Sequence, residues 1–423
     1  MTIATSFARR APFFYGWVIL ACACCAGFSR QGPAVATLSI FVDPMTSEFG
    51  WSRTAISGAV SIGGVLAALA TPFIGPTLDS KGPRVVLCLA VLGTAAATAL
   101  LSLTQSIIVF YLLFCFARMN FAGPYDLGIY GAVSNWFVAK RAFAISITSL
   151  VQMAGLVAMP LIAFFAMQAS DWRGAWLAVG LTVLVVGFVP NWAFMIRRPE
   201  DVGLRPDGRD TGADHGTADM AESAEPAFSR RQALASPAFW LLSLYTLLVF
   251  PVQAGVSLHQ APHLIERGLE PMVAATMVSG FSLVAAIVSF GLGFWPRRWP
   301  VRTVLAASAI ALGASAWTMI SISSKAEGYG AAVLFGLGIG GLMTMLPLAW
   351  ANYFGRRSFG AIRGIALTVQ VLSQAAGPVF SGLLRDLTGD YTLSLICFAT
   401  LGAGGAVVAL FARPPTRPLK GSA

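Results

Sequence analysis

The segment Gly75–Arg84 reads GPTLDSKGPR, and the segment Gly293–Arg302, which lies 218 positions further along the chain, reads GFWPRRWPVR. Both segments begin with glycine and end with arginine. The same shift places Gln152 on Gln370. The same offset of 218 positions relates several separate segments, which indicates an internal duplication of the chain.

The composition is typical of a membrane protein. Of the 423 residues, 57% are hydrophobic and only 11% are charged. A helix needs about 20 apolar residues to cross the hydrocarbon core, and runs of this length predict twelve helices. The predicted helices are 16–40, 54–76, 83–103, 107–135, 141–168, 173–195, 237–258, 271–294, 301–321, 328–350, 361–383 and 390–412. Together with the duplication, they predict an all-α membrane protein of two pseudo-symmetric six-helix bundles, a design typical of transporters.

The basic residues indicate how the helices are oriented. Of the 28 lysines and arginines, 21 flank alternate gaps or the termini, and Arg363, near the start of the predicted eleventh helix, is counted among them. The opposite gaps hold Arg53, Arg173, Arg267, Lys325 and Arg385. By the positive-inside rule, this predicts a multi-pass protein of the cell inner (plasma) membrane with both termini in the cytoplasm. The net charge of +10 therefore reflects topology and contact with anionic lipid, rather than binding to nucleic acid.

One long polar segment divides the chain. Residues 196–236 hold eight of the 18 acidic residues, together with Pro, Gly and Ser, a composition typical of a solvated linker. We therefore predict an N-terminal six-helix bundle over 1–195, a cytoplasmic linker over 196–236 and a C-terminal six-helix bundle over 237–423.

The sequence does not indicate an enzyme activity or a metal site. The six cysteines all lie in apolar segments, where they are expected to be small packing residues. No nucleophile–base set and no cluster of metal ligands is present in the sequence. We predict neither enzyme activity nor a cofactor or metal.

The loop GPTLDSKGPR resembles the cytoplasmic signature of the major facilitator superfamily. Within it, further stretches resemble bacterial monocarboxylate and oxalate/formate transporters, namely YGW at 15–17, FGWSR at 49–53, RPEDVGL at 198–204 and SPAFW at 236–240. Arg297 stands where the first half has Asp79, which departs from the signature. The resemblance covers nearly the whole chain.

This resemblance implies a mechanism without covalent chemistry. Two six-helix halves would rock about a central cavity lined by the first, fourth, seventh and tenth helices, and a monomer would suffice for function. Asp79, Lys81 and Arg84 would then serve the cytoplasmic gate. The partners implied are a small organic substrate, the lipid bilayer and protons as coupling ion.

Two arginines lie deep inside predicted helices. Arg30 is about 20 Å from the cytoplasmic end of the first helix and Arg118 about 16 Å from the outer end of the fourth, at 1.5 Å per residue. A charge at such a depth costs about 2.5–3.5 kcal/mol on insertion scales and therefore requires a function or a partner. Both arginines are predicted to bind a carboxylate through two hydrogen bonds. The alternative is a structural role, although Asp126 is a poor partner for Arg118 because helical side chains lean toward the N-terminus.

Two residues are candidates for proton coupling. Asp126 is the one acid placed well inside a predicted helix, where burial favours its protonated form. His259, which is followed by Gln260 and His263, lies near the outer end of the seventh helix and could respond to pH. The alternatives are that Asp126 caps backbone amides freed at Gly123-Pro124 and that His259 is an interfacial side chain.

Four further polar residues are candidates for the predicted substrate site, and the alternative is that they only form hydrogen bonds between helices. Gln152 and Gln370 occupy equivalent positions in the fifth and eleventh helices, and Tyr245 and Asn352 are weaker candidates. The basic residues that oxalate/formate exchangers carry on helices 8 and 11 are here replaced by Ser289 and Gln370. If the site binds an anion, its basic residues therefore lie in the first half of the chain. The identity of the substrate cannot be inferred from the family.

The sequence thus predicts a secondary active transporter of a small organic anion, a carboxylate, that works by proton symport or anion exchange. A transporter or exporter of a larger neutral or aromatic compound, with structural arginines, is one alternative. A membrane receptor without flux is another, against which the duplication and the lack of a soluble output domain argue.

Overall fold

The computed structural model describes residues 3–10, 12–208, 226–294 and 299–415. Over these residues the chain is helical and contains no strand, which confirms the predicted all-α fold. The helices in chain order are α1 Ile3–Arg10, α2 Gly16–Ser29, α3 Val35–Phe49, α4 Arg53–Lys81, α5 Pro83–Leu100, α6 Ile107–Ala122, α7 Pro124–Trp136, α8 Arg141–Ala169, α9 Trp172–Thr182, α10 Val189–Phe194, α11 Arg230–Ala235, α12 Pro237–Glu266, α13 Pro271–Leu292, α14 Val301–Met319, α15 Lys325–Phe354, α16 Phe359–Thr388 and α17 Thr392–Phe411.

The predicted membrane helices are present. Among the described residues, ten helices are long and apolar enough to span a bilayer, and two shorter apolar helices, Gly16–Ser29 and Gly280–Leu292, accompany them. Many large apolar side chains on these helices are exposed, including Phe73, Leu103 and Leu387. In lipid these side chains are matched to their surroundings, so the exposed apolar surface is expected rather than anomalous.

Two helices predicted as continuous are broken, and the breaks lie beside the candidate charges. The first predicted helix divides into α2 and α3 around Gly32-Pro33, because proline cannot donate a backbone hydrogen bond. The fourth divides into α6 and α7 at Gly123, whose φ of −111° and ψ of −88° are not helical. Arg30 therefore caps the C-terminal end of α2, and Asp126 lies in the first turn of α7. A carboxylate is favourable there, because a helix N-terminus carries partial positive charge.

By packing, the chain divides into two compact units. The first contains Met1–Ala227 and Gly355–Thr368, and the second contains Phe228–Phe354 and Val369–Ala423. Helix α16 therefore begins in the first unit and ends in the second. The boundaries 1–195, 196–236 and 237–423 stay a prediction.

The start of α16 approaches α4 closely within the first unit. The carbonyl of Gly360 occupies the space that a Cβ atom on Gly75 would need, and the carbonyl of Thr71 does the same for Gly364. The Thr368 hydroxyl donates to the carbonyl of Ala68 at 2.7 Å. Small residues let two helix backbones approach this closely in a membrane protein.

Candidate functional site

Two guanidinium groups gather around one aromatic ring in the first unit. The Cζ atom of Arg30 lies 4.5 Å from the centroid of the Phe121 ring, and the Cζ atom of Arg118 lies 4.1 Å from it. Arg118 and Phe121 are three positions apart on α6, so their side chains lie on the same helix face. Arginine over an aromatic face is an attractive cation–π contact. The structure therefore brings together the two arginines that the sequence singled out.

Arg30 is bound by two polar side chains. Its Nη1 atom donates to Oε1 of Gln152 at 2.9 Å and lies 3.7 Å from Oδ2 of Asp126. The Nε2 atom of Gln152 donates in turn to the hydroxyl of Tyr130 at 3.4 Å. The Arg30 side chain is 13% exposed, so these contacts hold it at a nearly buried position.

Arg118 has fewer polar partners than Arg30 among the described residues. Its Nη1 atom donates to the carbonyl oxygen of Pro33 at 3.5 Å, and its Nε atom is buried without a hydrogen-bond partner among the described residues. In the part of the chain that the structure describes, Arg118 forms no ion pair with a carboxylate. The side chain is partly exposed. Its guanidinium thus retains donors that a carboxylate ligand could engage in a two-pronged contact.

Asp126 pairs with an arginine that the sequence analysis did not identify as buried. Its Oδ1 atom lies 3.3 Å from Nη2 of Arg363, in addition to the Oδ2 contact with Arg30. Arg363 is 1% exposed. The charge pattern groups it with the basic residues that flank the helices, and the structure places it one turn inside α16, buried within the first unit. Asp126 thus neutralises arginines from two distant parts of the chain.

Asp79 caps the start of α16. Its Oδ1 and Oδ2 atoms each accept a backbone hydrogen bond of 2.8 Å, from Gly360 and Ala361 respectively. Arg197 donates to the backbone carbonyl of the same aspartate. A carboxylate at a helix N-terminus satisfies amides that lack partners inside the helix. The other two predicted gating residues are less enclosed, Lys81 being exposed and Arg84 partly exposed.

The remaining candidates belong to the second unit. Tyr245 is fully buried and donates its hydroxyl to the carbonyl of Leu305 at 2.9 Å, which is an interhelical packing contact. Asn352 is exposed near the end of α15, and Gln370 is partly exposed in α16. His259 contacts the carbonyl of Pro378 through Nε2 at 3.1 Å. A carbonyl oxygen can only accept, so this contact requires the His259 tautomer that carries its proton on Nε2.

The histidine lies in a small polar cluster. The ring of Tyr391 contacts the rings of both His259 and His263, at centroid distances of 5.1 and 5.8 Å. Nε2 of His263 contacts the carbonyl of Met319 at 2.7 Å. Gln260, which is 1% exposed, lines the same cavity. This cluster joins residues from α12, α14 and α16 to the turn before α17.

Comparison with known proteins identifies relatives of the chain. The family model for the Major Facilitator Superfamily matches residues 19–378, which confirms the resemblance drawn from the Gly75–Arg84 loop. Monocarboxylate transporter 11 of Mus musculus is 24% identical over 413 residues, 93% of this chain and 86% of the relative. The membrane sensor protein UhpC of Salmonella typhimurium is 26% identical over 309 residues, 69% of this chain and 67% of the relative. The crystal structure of the human organic anion transporter MFSD10 has a TM-score of 0.70 at 15% identity, covering 93% of this chain and 98% of that chain, and this likeness shows the fold.

Proposed function

Because the chain belongs to the major facilitator superfamily of membrane transporters, we propose that it carries a small organic carboxylate by alternating access. Transport is driven by proton symport or by exchange with a second anion. The basic residues beside the helices support an orientation with both termini in the cytoplasm of the inner membrane. Asp79 holds the cytoplasmic gate by capping the start of α16.

The observation that carries the proposal is the state of Arg118. A guanidinium inside a membrane helix is costly and is expected to pair with a carboxylate or a backbone carbonyl. Arg118 makes one long contact with the carbonyl of Pro33 and no ion pair among the described residues. A substrate carboxylate would supply the missing negative charge and fit the planar fork of donors.

The neighbouring residues suggest how the site is completed. Arg30 stands beside the same Phe121 ring but is already engaged by Gln152 and Asp126. We assign Arg118 the direct contact with the substrate carboxylate. Arg30 adds positive charge beside the same Phe121 ring. Asp126, whose carboxylate lies 3.7 Å from the guanidinium of Arg30 and so next to the proposed site, is the proposed proton carrier.

The name of one relative agrees with this substrate class. The mouse protein is named a monocarboxylate transporter, and its 24% identity supports a carboxylate without naming one. Gln370 and Gln152 remain candidates for hydrogen bonds to substrate, whereas Tyr245 is better explained by packing.

Ligand-induced stabilisation tests the substrate class. A panel of monocarboxylates, dicarboxylates and neutral compounds is added to the purified protein, and the apparent Tm is measured. A ligand that binds only the folded state raises stability by about 2.7 kcal/mol at 100 times its Kd. We expect a carboxylate to raise the Tm of the wild type and of Arg357→Gln, an exposed control, but not of Arg118→Gln. Stabilisation by a neutral compound alone, equal in wild type and Arg118→Gln, would support the neutral-substrate alternative.

A receptor without flux is the second candidate, favoured by the similarity to a protein named a membrane sensor. Both functions require the same ligand site. The transporter and the receptor are distinguished by measuring carboxylate binding and uptake on one preparation, because a receptor binds the carboxylate but shows no uptake into proteoliposomes.

A further inference from the structure

Gln260 carries a buried amide that has no part in the proposed transport of a carboxylate. The residue lies in α12 and is 1% exposed. Neither its Nε2 atom nor its Oε1 atom has a hydrogen-bond partner among the described residues. A buried amide with both ends unsatisfied is costly, because each polar atom has given up its hydrogen bonds to water. The amide therefore requires a partner.

Gln260 lines a small cavity in the second unit. The space open to a water-sized sphere measures about 10 Å³, which is close to the ~10–15 Å³ that one water molecule needs. The other polar side chains that line the cavity are His259, His263, Ser381 and Tyr391. A space of this size excludes an organic substrate. The ligand of the cavity is consequently no larger than a water molecule.

The atoms around the cavity favour water over a cation. The Gln260 amide offers one donor and one acceptor, and a water molecule can accept from Nε2 while it donates to Oε1. A cation would leave Nε2 without an acceptor. The second hydrogen of the water can go to another acceptor of the cavity, and each histidine offers one. Its Nε2 atom contacts the carbonyl of Pro378 or Met319, and the tautomer that this contact requires leaves Nδ1 as an acceptor.

We infer that this cavity is a binding site for one water molecule and that Gln260 is the residue that holds it. The water satisfies both ends of the amide. It also adds to the polar contacts at the C-terminal end of α12, where Ser381 of α16 donates to Ser394 of α17, and Ser394 donates to the carbonyl of Tyr391. The inference does not depend on the proposed carboxylate site, whose residues belong to the first unit.

X-ray radiolysis of the protein in lipid nanodiscs tests the inference. Hydroxyl radicals that form from a bound water molecule oxidise the side chains next to it, even where bulk water has no access. Met319 lines the cavity and is 1% exposed, whereas Met277 in α13 is 0% exposed and does not line it. Because both are methionines, their intrinsic reactivity is the same. We expect Met319 to be oxidised severalfold faster than Met277 in the wild type, and as slowly as Met277 in Gln260→Leu.

The apparent Tm of Gln260→Leu is a second readout, and its sign depends on whether the amide has a ligand. The substitution keeps the approximate volume of the side chain. If the amide holds a water molecule, the water loses its partners and the Tm falls, whereas removal of an unsatisfied amide raises the Tm. We expect a lower Tm. Gln168→Leu, at an exposed position of α8, is the matched control and should leave both readouts unchanged.

A second variant fills the cavity without changing the amide. Val256 lines the cavity and is 1% exposed, so Val256→Ile adds a methylene group there and displaces the water. Oxidation of Met319 and the Tm should both fall, because Gln260 is left unsatisfied, whereas filling a dry cavity would raise the Tm. Val333→Ile adds the same group at a 45% exposed position of α15 and should behave as the wild type. If Gln260→Leu does not fold, Val256→Ile carries the test.

The inference is overturned if Met319 is oxidised no faster than Met277 in the wild type, or if either cavity variant raises the Tm. Fast oxidation of Met319 in a folded Gln260→Leu protein would also overturn it, because groups other than this amide would then hold the water. These outcomes are separate from the test of the carboxylate site, which compares ligand-induced stabilisation of the wild type and Arg118→Gln.

Discussion

The Nη1 atom of Arg30 lies 2.9 Å from the Oε1 atom of Gln152, and 122 positions separate the two residues in the chain. The amide of Gln152 also donates to the hydroxyl of Tyr130. Gln152 is 7% exposed. This amide therefore sets the position of Arg30 through a contact that neither helix could make alone.

Replacing Gln152 should weaken substrate binding. Gln152→Leu keeps the approximate volume but removes the acceptor of Arg30, and a hydrogen bond to a charged group is worth about 1.5–3 kcal/mol. We expect the apparent affinity for the carboxylate to fall at least about tenfold, measured by ligand-induced thermal shift. Gln168→Leu, at an exposed position of the same helix, is the matched control. Unchanged affinity in a folded Gln152→Leu protein would remove Gln152 from the site.

The close approach of α4 and α16 predicts a strong effect of one methyl group. In Gly75→Ala the new Cβ would meet the backbone carbonyl of Gly360, which cannot rotate away. Such overpacking costs about 1–3 kcal/mol, so the apparent Tm should fall and the hydrogen exchange of residues 359–368 should become faster. Gly330→Ala adds the same methyl where no atom lies within 4 Å, and it should leave the Tm unchanged or raise it, since alanine is the better helix former. Equal effects of the two substitutions would contradict the packing described for α4.

The ion pair between Glu48 and Arg173 predicts a pH-dependent contribution to stability. Arg173 donates to both carboxylate oxygens of Glu48, at 2.6 and 2.9 Å, and the indole of Trp172 donates at 2.6 Å. The hydrogen bond from Arg173 and then that from Trp172 lower the pKa of Glu48. A lowered carboxylate pKa means that the stabilisation is present above the unfolded-state value, about 4.3, and is lost as the pH falls through the lower folded-state value.

Glu48→Gln should therefore lower the apparent Tm at neutral pH, and the difference from wild type should vanish in acid. Salt should also reduce the difference, because the pair is exposed to solvent. Glu270→Gln removes a looser pair with Lys325, at 3.8 Å and more exposed, and should have no measurable effect. A difference between wild type and Glu48→Gln that grows toward acid pH would contradict the assignment.

Much of the helical fold follows from apolar run length. The predicted helix 141–168 is observed as Arg141–Ala169, and 301–321 as Val301–Met319. Helix α12 runs on to Glu266, eight residues past its predicted end, because Pro262 is accommodated inside the helix. The sequence has a Gly-Pro pair at each break, Gly32-Pro33 and Gly123-Pro124, but the apolar run continues on both sides of each pair. A hydropathy pattern therefore indicates a span but not its interruption.

The site was harder to predict than the fold. Arg30, Arg118 and Asp126 stand out because each interrupts a long apolar stretch. Arg363 does not, since it lies near the start of a helix, where basic residues ordinarily flank the membrane. Its burial depends on packing against Asp126, and no local pattern reports a contact between residues 237 positions apart. Tyr245 shows the converse difficulty, because its hydroxyl donates to the backbone carbonyl of Leu305, and a polar atom in an apolar helix can be present for such a contact alone. Its place in the substrate site stays a prediction.

Uptake by reconstituted protein tests the central claim most directly. Labelled mono- and dicarboxylates are offered to proteoliposomes, with an inward proton gradient or with preloaded unlabelled carboxylate as the driving force. We predict uptake of at least one carboxylate by wild type and by Arg357→Gln, stimulated by one of the two driving forces and lost in Arg118→Gln and in Arg30→Ala. No carboxylate uptake by the folded wild type, or full uptake by a folded Arg118→Gln protein, would contradict it.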